Sequence, residues 1–342
     1  MPPRVLLMTR LPSSVMQRLE EACDVDVHEG GDPSEDELIA NLAGAEGILS
    51  VFTTPMTRRV MEGAPALRVV AKLAVGYNNI DVPAARERGI VVTNTPDVLT
   101  EATANLTWAL ILDVTRRVSE GDRLVRRGGW KGWTFNFMLG NDLAGKQLGV
   151  IGLGRIGRAV ARRAHAFGMR VVYHSPRSSS AGSVGRVLSD PANPVWPDPA
   201  NPEADERRTT VEPMPLDRLL ATSDVVTLHC PLVPETRHLI NQTALARMKR
   251  SAYLVNAARG PVVDEAALAW ALKNRMIAGA ALDVYEREPQ VHEALLSLEN
   301  VVLSPHLGSS TIETRVAMAD LAARNVIAVL SGEPPLTPVP DA

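Results

Sequence analysis

Residues 146–157 read Lys-Gln-Leu-Gly-Val-Ile-Gly-Leu-Gly-Arg-Ile-Gly, and nothing else in the 342 residues restricts the possible folds as strongly. The apolar run 148–153 has the length of a buried strand. Ile156, Val160, Ala161, Ala164 and Phe167 then recur at helical spacing until Gly168. A strand, a glycine turn and a helix therefore follow in order, which is the order a dinucleotide requires. Gly152 permits the tight turn, Gly154 lets backbone N–H groups approach a pyrophosphate, and Gly157 lets the helix pack on its strand, while the helix N-terminus offers partial positive charge. Arg155 and Ile156 lie within this turn. Alone, the glycine spacing marks only a glycine-rich turn; here Met169-Arg-Val-Val-Tyr173 supplies the second strand.

Length and charge exclude other classes. A chain of 342 residues has room for two domains, and a net charge of −3 points away from nucleic acid and from anionic membranes. No apolar run approaches the roughly 20 residues that span a bilayer, and Met-Pro-Pro-Arg leads into a strand-like run at 5–8, so a cytoplasmic protein is expected. Cys23 and Cys230 are far apart and lack companion ligands, which predicts buried thiols and no metal site.

Short strands at 4–8, 25–28, 47–52, 68–73 and 90–93 alternate with helices, one at 13–22 and one at 34–43 opening on the capping box Ser34-x-x-Glu37. This predicts a small parallel α/β domain. In Ala74-Val-Gly-Tyr-Asn-Asn-Ile-Asp81, Gly76 falls just beyond a strand's carboxyl end, a position that suits a ligand or a plain loop equally. The turn-rich 94–100 ends that rhythm, and one long helix at 102–126, apolar through Leu106, Trp108, Leu110, Ile111, Leu112 and Val114, is expected to cross to the second domain. That helix suits either interdomain packing or a subunit interface. Trp130 and Trp133 follow in a glycine-rich connection, placed to cover a site or to pack against the preceding helix. Strands resume at 224–229, 252–255, 279–283 and 301–303, with helices at 242–248 and 264–273, and a closing helix at 311–330 is expected to return to the first domain. The expected architecture is two Rossmann-like doubly wound parallel-sheet domains, 1–98 with 308–342 and 99–307. An insertion at about 178–212 repeats Asp-Pro-Ala-Asn-Pro at 190–194 and 198–202, a composition suited to a surface excursion.

The cofactor can be narrowed. An NAD site places a carboxylate about 20 residues beyond the glycines to bind the ribose 2′-hydroxyl. Here the second strand ends in His174-Ser-Pro-Arg177, with Ser175 where the acid would be, and no Asp or Glu occurs from 143 to 189 while Arg155, Arg158, Arg162, Arg163, Arg170, Arg177 and Arg186 do. NADP(H) is therefore expected over NAD(H), since a charge-assisted bond from Arg177 to a 2′-phosphate contributes about 1.5–3 kcal/mol, roughly ten- to a hundredfold. The bland alternative makes Arg177 the first residue of a solvated loop.

Arg259, Glu288 and His306 each follow a strand at the expected carboxyl edge, and together they supply a cation for a carboxylate, an acid to orient a base, and the general acid/base. Singly they read as a salt-bridge partner, a surface acid and a helix-terminus histidine. Their proximity is not legible in the sequence.

The order Gly152-x-Gly154-x-x-Gly157, Asn256-Ala-Ala-Arg259-Gly260, Leu282-Asp-Val-Tyr-Glu-Arg-Glu288-Pro289 and Ser304-Pro-His306-Leu-Gly-Ser-Ser310 resembles the D-isomer-specific 2-hydroxyacid dehydrogenase family. Ala74–Asp81 and the stretch 92–100 resemble its glyoxylate/hydroxypyruvate reductase branch. The resemblance implies an active site in a cleft between two α/β domains and a homodimer joined through the cofactor domain. It implies that Arg259 binds a small 2-oxo acid, that His306 donates the proton in reduction, and that Glu288 pairs with His306. Val75 and Gly76 would offer N–H groups to the substrate carboxylate. Thr103, Ile156, Arg177, Cys230, Pro231, Ala257, Asp283 and Gly308 would lie along the cofactor with His306. Phe52 stands where the branch has a leucine lining the substrate pocket, and Leu73 and Asn105 also depart from the commonest residues. The implied reaction is NADPH-dependent reduction of glyoxylate or hydroxypyruvate to glycolate or D-glycerate. A phosphoglycerate dehydrogenase is the alternative within the family, although no regulatory domain follows Leu330 and the NAD carboxylate is missing; formate dehydrogenases pair their histidine with glutamine. A dinucleotide-sensing scaffold that keeps the same three residues is the alternative outside catalysis.

Overall fold

The computed structural model describes residues 1–175, 185–186 and 210–340, so Arg177 and nearly all of the proline-rich insertion lie outside the described residues. The chain divides into two compact units, Met1–Leu99 with Ser309–Ala342, and Thr100–Gly308. Both are parallel-sheet α/β domains.

The first unit carries strands β1 (Arg4–Leu7), β2 (Asp24–Val27), β3 (Gly47–Ser50), β4 (Val69–Lys72) and β5 (Val91–Thr93), all parallel, in the order β2-β1-β3-β4-β5. Every residue of β3 and β4 is buried, as expected of strands covered on both faces. The closing helix Ile312–Leu330 supplies one cover, laying Ala319, Ala322, Ala323 and Val326 among Val5, Leu7, Leu49, Val69 and Ala71. The capping box opens helix Glu35–Asn41: Ser34 N–H donates to Glu37 at 2.8 Å, and Glu37 N–H donates to the Ser34 hydroxyl at 3.3 Å.

The second unit holds β6 (Gln147–Ile151), β7 (Arg170–His174), β8 (Gly185–Arg186), β9 (Thr210–Pro213), β10 (Val225–Leu228), β11 (Tyr253–Asn256), β12 (Gly279–Leu282) and β13 (Val301–Leu303). Their order is β13-β12-β11-β10-β6-β7-β9-β8, parallel except for the edge strand β8. Chain order runs one way from β6 through β7 and the other way from β10 through β13, so the sheet's switch point lies beside β6, where ligands of open parallel sheets bind.

Three expectations need correction. Within the insertion at about 178–212, expected as a surface excursion, β8 and the start of β9 join the sheet, β9 pairing with β7. The helix predicted across 102–126 is two helices, Thr100–Arg116 and Val118–Arg126. Arg117 breaks them with a left-handed φ of 59°, held by a two-pronged pair with Glu120 at 2.7 and 2.6 Å, while the Asp113 carboxylate accepts the Ser119 N–H at 2.7 Å. The apolar stretch of the first helix is buried as expected at Trp108, Leu110, Ile111 and Val114. The second helix buries no residue, and Trp130 and Trp133 are 56% and 75% exposed, so neither is buried against it. Both cysteines are buried. Among the described residues no helix is long and apolar enough to cross a membrane.

Candidate active site

The glycine turn has the sterics its spacing implies. Gly152 has a φ of 95°, and a Cβ there would lie 2.5 Å from the Cys230 nitrogen; a Cβ on Gly157 would lie 2.1 Å from the Gly152 carbonyl oxygen. Gly154 faces open space, with nothing within 4 Å of an added Cβ. Helix Arg155–Ala164 starts at Gly154 with no side-chain cap and no acidic residue in its first turn. That cradle fits the pyrophosphate of a dinucleotide, which supplies the charge such a helix end lacks. Cys230 and Pro231 leave β10 against the turn, and burial pushes the Cys230 thiol up to about 11, which suits packing and not nucleophilic work.

Ser175 follows β7 directly, and His174 lies against the Met214 carbonyl at 3.3 Å. The arginine excess near the cofactor turn is partly structural. Arg162 and Arg163 both pair with Glu101, Arg163 also reaches Asn105, and Arg170 donates to Gln147. Arg155 is exposed at the helix start.

Arg259, Glu288 and His306 leave the ends of three adjacent strands, β11, β12 and β13. The turn after β11 is shaped by Asn256, whose side chain accepts the Ala258 N–H and donates to the Arg259 carbonyl, both at 3.0 Å, with Ala257 inside the loop. Arg259 donates to the Ala258 carbonyl at 2.7 Å; burial pulls its guanidinium below the ordinary range, opposed by the Glu288 charge. Glu288 Oε2 lies 2.7 Å from His306 Nδ1, and its Oε1 accepts the Tyr285 N–H at 3.0 Å. Burial alone would raise the Glu288 carboxyl, but the hydrogen bond and charge of His306, the Tyr285 N–H and the Arg259 charge outweigh it and hold the group below the usual carboxylate range. With a carboxylate on Nδ1 the ring's proton sits there, leaving Nε2 as its exchangeable position.

His306 itself has a φ of 54°, a conformation costing about 1–3 kcal/mol outside glycine. Asp283 holds it there. Its backbone carbonyl accepts the His306 N–H at 2.9 Å, and its carboxylate accepts Leu307 N–H at 2.7 Å, Gly308 N–H at 2.8 Å and the Ser304 hydroxyl at 2.7 Å. Asp283 is therefore an organiser of the histidine turn, a role its sequence position did not reveal, and its burial raises its carboxyl against these bonds. Thr103 neighbours the same turn, 3.4 Å from a Cβ placed on Gly308.

In the first unit, Phe52 and the pair Val75 and Gly76 follow the adjacent strands β3 and β4, so all three share the carboxyl edge of that sheet. Asn94 donates to the Val75 carbonyl at 2.8 Å, and Phe52 is 44% exposed. Two further residues went unread in the sequence. Lys72 is fully buried and its ammonium donates to the Val51 carbonyl at 2.5 Å. In the second unit the His229 ring meets Thr227 Oγ1 through Nε2 at 2.9 Å while its buried Nδ1 has no hydrogen-bond partner, and burial lowers it to about 3. A single lysine or histidine at a strand end carries no spacing signal that separates it from ordinary core packing.

Residues 108–189 and 193–308 match the sequence profile of the D-isomer specific 2-hydroxyacid dehydrogenase NAD binding domain. The chain is 44% identical over 344 residues to a glyoxylate reductase of Thermofilum pendens, covering 97% of this chain and 93% of that one. It is 46% identical over 338 residues to a glyoxylate reductase of Korarchaeum cryptofilum, covering 98% and 95%. Among solved structures it is similar to the NADPH-dependent glyoxylate/hydroxypyruvate reductase of Sinorhizobium meliloti in complex with NADP and malonate, with a TM-score of 0.83, 35% identity, and 99% and 97% of the two chains covered.

Proposed function

Since this chain belongs to the D-isomer-specific 2-hydroxyacid dehydrogenase family and is an NAD(P)-dependent oxidoreductase, we propose that it reduces glyoxylate or hydroxypyruvate to the 2-hydroxy acid, with NADPH preferred. The observation that carries this reading is the 2.7 Å pair between His306 Nδ1 and Glu288 Oε2, with the Arg259 charge acting on the same carboxylate. The names of the Thermofilum and Korarchaeum relatives and of the Sinorhizobium enzyme support the substrate class.

When bound, the reduced nicotinamide supplies the hydride. His306 donates its Nε2 proton to the oxygen that gains charge as the carbonyl is reduced, and Glu288 stabilises the cationic ring that this transfer requires. Arg259 holds the substrate carboxylate as a fixed cation. In the first unit, Val75 and Gly76 carry backbone N–H groups suited to a carboxylate, and Phe52 narrows the choice of substrate side chain. Glycines 152, 154 and 157 with Arg155 would hold the pyrophosphate, and Thr103, Ile156, Cys230, Pro231, Ala257, Asp283 and Gly308 would line the rest of the cofactor. Ser175 in place of an acid after β7 supports NADPH, because it removes the repulsion a carboxylate would exert on a 2′-phosphate. Arg177 is assigned to that phosphate on sequence alone.

The same reading includes a homodimer formed through the second unit. Its support is the run of exposed apolar side chains Val118, Val125, Trp130, Trp133, Phe135 and Leu139, which fall in one stretch of the sequence. Sedimentation equilibrium checks it: a monomer at micromolar concentration rejects the dimer.

The activity is tested by following loss of reduced-nicotinamide absorbance from NADPH and from NADH with glyoxylate, hydroxypyruvate, pyruvate and 3-phosphohydroxypyruvate offered separately. Turnover of the first two with NADPH is expected. A preference for NADH overturns the cofactor assignment alone, and tight cofactor binding without turnover of any of the four favours a sensing scaffold.

A further inference from the structure

The residues that would do chemistry leave three separate loops, and Glu288 belongs to the middle one. Two residues before it, the Glu286 carboxylate accepts the backbone N–H of Glu265 at 2.9 Å, while the Glu265 carboxylate accepts the backbone N–H of Glu286 in return. Each side chain thus caps the other residue's main chain, 21 positions away. Glu265 is 4% exposed and opens helix Glu265–Lys273, six residues after Arg259; its second oxygen accepts the His292 N–H at 3.2 Å. His238 closes the clasp, with Nε2 at 3.0 Å from Glu286 Oε2 and its own N–H donating to the Pro261 carbonyl at 2.8 Å.

The backbones beneath the clasp are packed without slack. A Cβ on Gly260, the residue after Arg259, would lie 1.8 Å from the Tyr285 carbonyl oxygen and 2.5 Å from the Glu286 nitrogen. Tyr285 then ties the middle loop to the histidine loop: its hydroxyl donates to the Ser304 carbonyl at 2.9 Å, and its N–H holds Glu288 Oε1. Burial and the charges of Asp283, Glu265 and Glu288 push the Tyr285 phenol up, so it stays a donor.

We propose that Glu286, Glu265 and His238 form a positioning clasp that sets the Glu288 carboxylate against His306 and fixes the middle loop to the Arg259 loop. None of the three touches the reacting groups; they act through Glu288 and Arg259. The proposal rests on the reading of His306 as the acid/base, and it adds residues that this reading does not assign. Glu265 is buried and Glu286 half-buried, and the reciprocal N–H bonds and the start of the helix offset the cost of placing the two carboxylates there, leaving a loop conformation with little freedom.

The test compares Glu286→Ala, Glu286→Gln and His306→Gln with the wild-type holoenzyme. Single-turnover reduction of glyoxylate by NADPH is measured across pH, alongside NADPH affinity and melting temperature, and the Glu286→Ala crystal structure is solved. Displacing a catalytic pair by about an ångström costs up to about a hundredfold in rate, so Glu286→Ala should lose about ten- to a hundredfold and show its acid limit at higher pH than wild type, because Glu288 loses the His306 contact that holds its carboxyl low, with NADPH affinity nearly unchanged. Glu286→Gln, which still accepts the Glu265 N–H, should recover most of the rate. A lower melting temperature with rate and pH profile unchanged overturns the clasp. If His306→Gln keeps the wild-type rate, the functional reading fails and the crystal structure judges the clasp: separation of Glu288 from His306 supports it, and retention of the 2.7 Å contact overturns it.

Discussion

Replacing Glu288 with glutamine keeps an oxygen for the Tyr285 N–H but removes the charge from the side chain that His306 faces at 2.7 Å. The expected effect follows from two observations. Glu288 is held below the ordinary carboxylate range against the opposing effect of burial, chiefly by the bond and charge of His306, and the pair is largely enclosed, with the two side chains 20% and 27% exposed. The Glu288 charge is thus placed to compensate the proton that His306 carries to the substrate oxygen. A charge-assisted hydrogen bond contributes about 1.5–3 kcal/mol, which corresponds to roughly ten- to a hundredfold in rate when it is made in the transition state. Removing the carboxylate should therefore lower the reduction rate by about ten- to a hundredfold. Glu288 itself sets the acid limit: its contribution is complete above the ordinary carboxylate value and is lost as pH falls through its lowered value. The assay is stopped-flow reduction of glyoxylate with chemistry rate-limiting. A reduction rate unchanged in Glu288→Gln, with its acid limit also unmoved, would refute the argument, because the charge would then have no part in proton transfer.

Ser175→Asp restores an acceptor for a ribose 2′-hydroxyl and repels a 2′-phosphate, and should move the NADPH-to-NADH ratio of kcat/KM by about ten- to a hundredfold toward NADH; an unmoved ratio places the discrimination elsewhere. Gly157→Ala puts a methyl carbon 2.1 Å from the Gly152 carbonyl oxygen, so dinucleotide binding measured by calorimetry should be lost or severely weakened, and unaltered binding would mean the helix and strand can separate freely. His229, lowered to about 3 by burial, stays neutral in the fold while the unfolded chain's histidine charges below about 6.5; stability should therefore fall by about 1.4 kcal/mol per pH unit from there downward, and urea unfolding of His229→Gln should show a flatter acid limb. Equal acid limbs in the two proteins would show that His229 takes up its proton without leaving the fold.

What could be read in advance divides by physical cause. Gly152 and Gly157 were legible because a backbone requirement admits only one residue type, and the capping box because its partners lie three positions apart. The central strands β3, β4, β6, β10, β11 and β12 were legible because burial on both faces demands apolar runs, whereas β8 and β9 lack such runs and fall in a stretch that reads as an insertion. The break at Arg117 was not, since no proline or glycine marks it and its cause is the particular geometry of Asp113 and Glu120. Arg162 and Arg163 counted as possible phosphate ligands until Glu101, some 60 positions earlier, was seen to pair with both. Glu265 and Glu286, 21 residues apart, likewise carry no local pattern.

The arrangement of Arg259, Glu288 and His306 is more constrained by the sheet than its sequence spacing suggests. Strands β11, β12 and β13 are consecutive in the chain and also neighbours in space, all parallel, so their carboxyl-terminal loops must emerge side by side at steps of about 4.8 Å. The residue from the middle strand lies beside both others, and that residue is the acid. Glu288 accordingly meets His306 and feels the Arg259 charge. Chain order cation, acid, base is thus also the electrostatic order, because a run of parallel βα units converts sequence order into lateral position.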